Sequence, residues 1–153
     1  MIYFSYRAVF EAGDEGGVVV SFPDVPEAIT EGDDEAAART MAAEALGLAL
    51  MTYAEMRRPF PEGSAVDGPD VVTIEPEVAA KVALISAFMA SGISKSEFAR
   101  RIDRDEKEAR RLLNPLHASK IKPLREALAV FGKRLITGVA DIGGRTAGLS
   151  HAA

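Results

Sequence analysis

Residues 16–46, GGVVVSFPDVPEAITEGDDEAAARTMAAEAL, decide the fold of the first half of the chain. Val18, Val19, Val20, Ser21 and Phe22 form a β-branched and aromatic run that predicts a strand. Pro23 stops it, because proline has no N–H to give to a ladder. A second short strand is expected at about 28–31. Gly32 and Asp33 then turn the chain, and Asp33 or Asp34 stands where a helix cap is needed. The helix is expected from about 34 to 58. Ala37, Met41, Ala45, Leu48 and Met51 recur at three- and four-residue spacing, and Leu46, Leu50 and Tyr53 widen the apolar face. Asp34 and Glu35 at its start and Arg57 and Arg58 at its end complement the helix dipole.

Outward from that stretch, residues 2–10 alternate Ile2, Phe4 and Tyr6 with Tyr3, Ser5 and Arg7 and predict an N-terminal strand. The intervening EAGDEGG is a turn cluster. After the helix, RPFPEGSAVDGP reads as a loop, and DVVTIE as a fourth strand ended by Pro76. The order β-β-β-α-β over residues 1–75 describes a small α+β sheet domain near the lower size limit for a stable core. The uncharged run 45–54 is therefore expected to be buried on two sides, by the sheet and by a second subunit.

From Pro76 the pattern becomes helical. Val78, Val82, Ile85 and Met89 mark one face of a helix over 77–90, closed by Gly92. Ser94-Lys-Ser-Glu97 is a capping box, and Asp105-Glu-Lys-Glu108 a second N-cap signature. That helix ends before Asn114-Pro115. Pro123 suits the first turn of a fourth helix with Leu124, Leu128 and Phe131 inward. KRLITGV, residues 133–139, predicts a final strand. An all-α domain is thus expected over 76–142, with a disordered tail at 143–153.

Composition narrows the function. The 153 residues are 48% hydrophobic and 27% charged, proportions of a globular chain. There is no cysteine, so disulfides and thiolate metal sites are excluded, and the two histidines lie far apart. No secretory leader or membrane-length apolar run is visible, and a soluble cytoplasmic protein is expected. The net charge of −5 hides an asymmetry: residues 1–77 carry four Lys/Arg against sixteen Asp/Glu, residues 78–153 fourteen against seven. An acidic half is attracted to basic protein, and a basic half to a polyanion.

Residues 94–114, SKSEFARRIDRDEKEARRLLN, carry the most specific motif. Two short helices joined by a tight turn need a small residue at their crossing, and Ala99 supplies it beside Phe98 and Ile102. Ala109 and Leu112 face back. This is the spacing of a DNA-binding helix-turn-helix, whose second helix enters the major groove. Arg110 and Arg111 are the expected base readers. Lys95, Ser96, Arg100 and Lys120 are expected at phosphates, and Arg104 and Lys107 complete the set. Asp103 occupies the turn position usually held by glycine. Asp105 and Glu108 are explained by capping, whereas Glu106 must reach a cytosine amine or swing away.

Asp24, Glu27, Glu31, Asp33 and Asp34 invite a metal-dependent nuclease reading. Asp24 sits in a proline-bounded turn, however, and Asp33 and Asp34 belong to a helix start. No strand carries a carboxylate flanked by apolar residues, so no catalytic residue, metal or cofactor is expected. His117 has no neighbouring nucleophile or acid, and His151 lies in the tail. The set Met41, Met51 and Met56 is expected in the core.

The two halves together resemble the HicB antitoxins. The strand, S-F-P-D-x-P, the short strand ending T-x-G-D and the Ala-rich helix resemble the family's N-terminal signature. GISKSEFARRIDRDEKEARRLLNPLHASKIKPLREALAVFGKRL is similar to the helix-turn-helix tail of one branch, with L-L-N-P-x-H-A-S-K its most specific segment. The chain departs from the pattern at Glu27-Ala28, where glycine and a small residue are common. The resemblance implies an N-terminal partial RNase H fold without catalytic carboxylates. It also implies a HicA-type toxin partner, small, basic and mRNA-cleaving, and repression of the protein's own operon through operator double-stranded DNA. Dimers or tetramers are implied too. On this reading Asp24, Glu27 and Glu31 lie near the toxin contact. The alternative is a stand-alone transcriptional regulator whose N-terminal domain binds a ligand or only oligomerises.

Overall fold

The computed structural model describes residues 1–141. The expected tail and His151 lie outside them. The elements run β1 (Ser5–Arg7), β2 (Val9–Ala12), β3 (Val18–Ser21), β4 (Ile29–Gly32), α1 (Glu35–Glu55), β5 (Val71–Thr73), α2 (Pro76–Ser91), α3 (Lys95–Arg101), α4 (Glu106–Leu113) and α5 (Ile121–Val130). The fold is α+β, a small antiparallel sheet followed by helices.

The strand expected over 2–10 is two strands with different partners. β1 pairs antiparallel with β5, Tyr6 opposite Val72. β2 pairs with β3, Phe10 opposite Val20, and β3 with β4, Val20 opposite Thr30. The break falls at Ala8, whose N–H still donates to the Asp70 carbonyl at 2.7 Å before the chain changes neighbour. Alternation in sequence cannot report such a change of partner, because the side-chain period of two persists through it.

α1 begins where Asp34 accepts a hydrogen bond from the Ala37 N–H at 2.8 Å. The preceding Gly32 is required by proximity: a Cβ there would stand 2.3 Å from the Ala38 nitrogen. The helix ends at Glu55, three residues earlier than expected. Arg57 takes a left-handed φ of 56°, and the Arg58 N–H returns to the Tyr53 carbonyl at 2.9 Å. Such a 6→1 closure satisfies the last carbonyls without glycine.

The buried stripe of α1 is also shifted from the expected one. Ala38, Ala42, Leu46, Leu50 and Tyr53 are buried, whereas Met41 and Leu48 are 43% and 60% exposed. Apolar residues lie all round this helix, and the small ones, Ala38 and Ala42, are what allow it to approach the sheet. Met51 is in the core as expected, but Met41 and Met56 are exposed. On its other side α1 meets α2 at Gly47, where a Cβ would stand 3.0 Å from a Val78 methyl.

α2 starts with Pro76 at its first position and ends at Gly92, φ 71°. It lies between α1 and α5, so the buried residues of the sheet half and the helical half form one continuous cluster. Phe98 of α3 is fully buried between Phe88, 5.6 Å away, and Phe131, stacked at 5.9 Å. The strand expected at 133–139 is not formed; residues 133–141 have no regular structure. A strand needs a neighbour to bond to, and none of β1–β5 is paired with this segment. Among the described residues no single helix is long and apolar enough to cross a membrane.

Candidate functional site

The charged residues gather in two places. The first is the rim formed by the turns between β3 and β4. Phe22 and Val25 are fully buried there, while Pro23, Asp24 and Pro26 are exposed. Two successive turns, Val25 N–H to Phe22 carbonyl at 3.2 Å and Ala28 N–H to Val25 carbonyl at 2.9 Å, produce that alternation. The S-F-P-D-x-P segment thus drives two apolar anchors into the core and leaves its carboxylate outside. Tyr6 lies beneath it and donates to the Pro61 carbonyl at 3.0 Å. Burial, with the negative charge of Asp24 adding to it, pushes the Tyr6 phenol up to about 12.

Asp24, Glu27 and Glu31 are all exposed but differ in what they touch. Glu27 accepts from the Tyr53 hydroxyl at 2.6 Å and from Arg58 at 2.8 Å. Those two hydrogen bonds, Tyr53 first, hold its carboxyl down to about 2. Arg58 also lies 3.7 Å over the Tyr53 ring. This trio fastens the β3–β4 turn to the end of α1. The side chains of Asp24 and Glu31 make no hydrogen bond or ion pair among the described residues. Glu31 is on β4, which has β3 on one side and, among the described residues, no strand on the other. Its neighbour Ile29 is 64% exposed. An exposed β-branched residue among carboxylates is the feature that the sequence reading passed over. The signal was Ile29 at an alternating strand position next to Glu27 and Glu31.

The second place is the pair α3–α4. Ala99 and Ala109 are buried at the crossing, and the turn runs through Asp103 at φ 54°. Asp tolerates that left-handed geometry better than most residues. Ser94 caps α3, accepting from the Glu97 N–H at 3.1 Å, and Asp105 caps α4, accepting from the Glu108 N–H at 2.7 Å. The reciprocal half of the expected capping box is absent. Glu97 pairs instead with Arg100 and, at 2.8 Å, with Arg101. Two guanidiniums within one turn outcompete a single backbone N–H, and they hold the Glu97 carboxyl below its usual range, Arg101 most of all.

The expected DNA-contact residues accordingly divide. Ser96 donates to Glu106 at 2.8 Å, and Arg110 pairs with the same carboxylate at 3.5 Å. Arg104 reaches Glu108 at 3.4 Å and Glu126 of α5 at 3.2 Å, bracing the turn against α5. Arg100 is engaged with Glu97. Lys95, Lys107, Arg111 and Lys120 are exposed and make no ion pair among the described residues. Glu106 has swung onto α3, the second of the two options open to it.

One further residue was not visible in the sequence. Lys81 of α2 is 3% exposed. Its ammonium donates to the carbonyls of Arg111 at 3.0 Å, Asn114 at 2.9 Å and His117. Burial lowers its pKa from 10.5 to about 8. A lysine one turn from Val78 lies beside the apolar stripe of α2, and its burial depends on the carbonyls that α4 and the turn after it bring over it.

Comparison with known proteins places the sequence in a family. A family model described as "HicB_like antitoxin of bacterial toxin-antitoxin system" matches residues 5–83, from β1 into α2. Antitoxin HicB of Escherichia coli is 38% identical over 131 residues, 85% of this chain and 95% of that protein. Antitoxin HicB 1 of Photorhabdus laumondii is 35% identical over 130 residues, 85% of this chain and 83% of its own length. Antitoxin HicB of Pseudomonas fluorescens is 34% identical over 128 residues, covering 82% and 88% respectively. With the family signature, the sheet, the capped Ala-rich helix and these relatives in agreement, the chain belongs to the HicB-like antitoxins of bacterial toxin–antitoxin systems.

Proposed function

We propose that this antitoxin neutralises a small basic HicA-type mRNA-cleaving toxin through its acidic sheet domain, residues 1–75. We further propose that it represses its own operon in the cytoplasm through residues 76–142, with α3–α4 as a helix-turn-helix. The observation that carries the reading is the spatial separation of charge. Asp24 and Glu31 stand free at the β3–β4 rim, beside exposed Ile29. Lys95, Lys107, Arg111 and Lys120 stand free on the helical half. An apolar anchor ringed by unpaired charge suits a protein contact, because the anchor supplies affinity and the charges steer and select. In the helical half, Arg111 reads a base on this proposal, and Lys95, Lys107 and Lys120 fix register on phosphates. Ser96, Arg100 and Arg110 join them by exchanging glutamate for phosphate, and Arg104 positions the turn. Glu27 acts at the rim through Tyr53 and Arg58. Subunits associate through the exposed α1 face bearing Met41, Ala45 and Leu48, as a dimer or tetramer.

The test is co-expression with the small basic reading frame adjacent to this gene. Co-purification and relief of growth arrest are expected, together with binding of the upstream duplex in preference to a shuffled one. Charge reversal at Asp24 and Glu31 should slow toxin capture at low salt, with little change at high salt. Capture unaffected by both reversals would remove the rim from the interface. Absence of any toxin complex, with operator binding intact, would establish a stand-alone regulator instead.

A further inference from the structure

α4 has only eight residues, too few to be stable by itself, so its pose depends on what grips its ends. Its N-terminal end is held by the Asp105 cap and by the Ser96–Glu106 hydrogen bond to α3. At its C-terminal end the Arg111 carbonyl accepts the Asn114 N–H at 3.2 Å and also a cation from a different helix, which reaches the Asn114 and His117 carbonyls of the following turn as well. We propose that Lys81 is a positioning residue for DNA recognition: by binding the Arg111, Asn114 and His117 carbonyls to α2, its ammonium sets the angle at which α4 meets the duplex. This rests on the reading of α3–α4 as the operator-binding pair.

The chemistry favours a positioning role over a purely stabilising one. An ammonium has three N–H donors, and three carbonyls converge on it, so its valence is filled. Burying a charge in this way costs stability relative to an apolar side chain of the same shape, and the lowered pKa of Lys81 reflects that cost. What the cation adds is direction, because three acceptors from two segments must point at one nitrogen. The place is also mechanically apt. α2 packs on α1 of the acidic half, and Leu48, Met51 and Glu55 of α1 line one groove with Asn114 and Leu116. The charged or titratable groups on the surrounding elements include Glu77 one turn earlier on α2, Glu55 on α1, Arg111 on α4, His117, and Lys120 and Lys122 at the start of α5. None forms an ion pair with Lys81 among the described residues.

The test uses the full chain with Lys81→Met and Lys81→Gln, the duplex upstream of its own reading frame, a shuffled duplex, and the toxin. Both variants should keep toxin capture, while Lys81→Met loses operator affinity by about tenfold or more, a change of K and not of fold. A pH series separates positioning from stability. From about pH 7 to 9.5 the wild-type ammonium loses a proton and with it one of its three bonds to the carbonyls, so operator affinity relative to Lys81→Met should fall. Stability relative to the same variant should rise over the upper part of that range. There the unfolded lysine, with its ordinary value of 10.5, still holds the proton that the folded one has released. A merely structural lysine gives no such opposite movement. Operator affinity within about twofold of wild type in a folded Lys81→Met would overturn the proposal, as would affinity and stability moving together with pH. Should Lys81→Met not fold, Lys81→Gln serves as the reference for the same pH comparison. Wild type with no preference for its own duplex would defeat the operator reading itself. In that case amide exchange at residues 114–117, faster in Lys81→Gln than in wild type, would still show the clamp at work, and unchanged exchange would dismiss it.

Discussion

The sheet half and the helical half handle charge in opposite ways. At the β3–β4 rim Glu27 alone is consumed internally, and Asp24 and Glu31 are left free. On α3–α4 nearly every arginine already has a glutamate: Arg100 and Arg101 on Glu97, Arg104 on Glu108 and Glu126, Arg110 on Glu106. A partner of the rim meets its field directly. A polyanion on the helical half must first displace carboxylates, which costs little for each exposed pair but makes binding depend on which cations were free at the start. The free ones, Lys95, Lys107, Arg111 and Lys120, therefore matter more than the arginine count of the segment suggests.

The largest effect should come from opening the core of the helical half. Phe98→Ala removes a fully buried ring from between Phe88 and Phe131 and should cost about 3–5 kcal/mol. Denaturant melts should show the loss, and operator binding should disappear. Toxin capture at low temperature should survive, because the rim is built from β3, β4 and α1. Loss of both activities in step would show that the continuous core makes the halves one cooperative unit.

A smaller effect sharpens the contrast between free and paired cations. Arg111→Ala should weaken binding to the upstream duplex by about 1–3 kcal/mol and relax sequence preference. Arg110→Ala should cost less, since wild-type Arg110 must first leave Glu106. The pair Arg110→Ala and Glu106→Gln, titrated against the same duplex, checks this: Glu106→Gln should tighten binding by freeing Arg110. Equal losses for the two arginines would show that the Glu106 pairing has no bearing on recognition.

How much of this was readable in the chain follows from what kind of information each feature needs. The caps at Ser94 and Asp105 were readable because a cap is a contract between residues three apart, and that at α1 was narrowed to Asp33 or Asp34, of which Asp34 makes the bond. The buried ring of Phe98, the inward Leu124 and Leu128, and the small residue at Ala99 followed from helical spacing. What failed needed a third dimension. Met41 and Leu48 looked like core because α1 has apolar residues on every side, and only the position of β4 and α2 selects among them. The 2–10 strand hid a change of partner at Ala8, and residues 133–139 looked like a strand with nothing beside it. At the candidate sites the residue types were readable and their engagement was not. The partners of Glu27 lie 26 and 31 residues away, and those of Lys81 between 30 and 36.

The next effect in size tests the sheet half alone. Asp34→Ala removes the side chain that satisfies the Ala37 N–H and should cost about 1 kcal/mol. Asp33→Ala should cost nothing measurable, since Asp33 makes no such bond among the described residues. Urea titration of both variants checks it. Operator affinity should be the same in both, because the helical half does not depend on that cap. A matching loss from Asp33 would mean that the acidic start of α1 acts by its field and not by the specific hydrogen bond.

The smallest effect is a pH dependence with a definite sign. Glu27 titrates at about 2 in the folded chain against an ordinary 4.5, because the Tyr53 hydroxyl and Arg58 hydrogen-bond its charged form. An acid whose folded pKa is depressed contributes stability that is complete above the unfolded value and lost as pH falls through the folded one. The contribution of Glu27 should thus be present at neutral pH, decline below about 4.5 and be gone near 2. Glu27→Gln should flatten that arm of the stability curve while leaving the region from about pH 7 to 9.5, which Lys81 shapes, unchanged. The exposure of Glu27 and Arg58 keeps the effect small and makes it weaken with salt. The comparison turns on toxin capture: if Glu27 works only by fastening the turn to α1, Glu27→Gln should capture toxin nearly as well as wild type, and Asp24→Lys should not. A capture defect in Glu27→Gln that salt does not erase would place Glu27 itself in the interface.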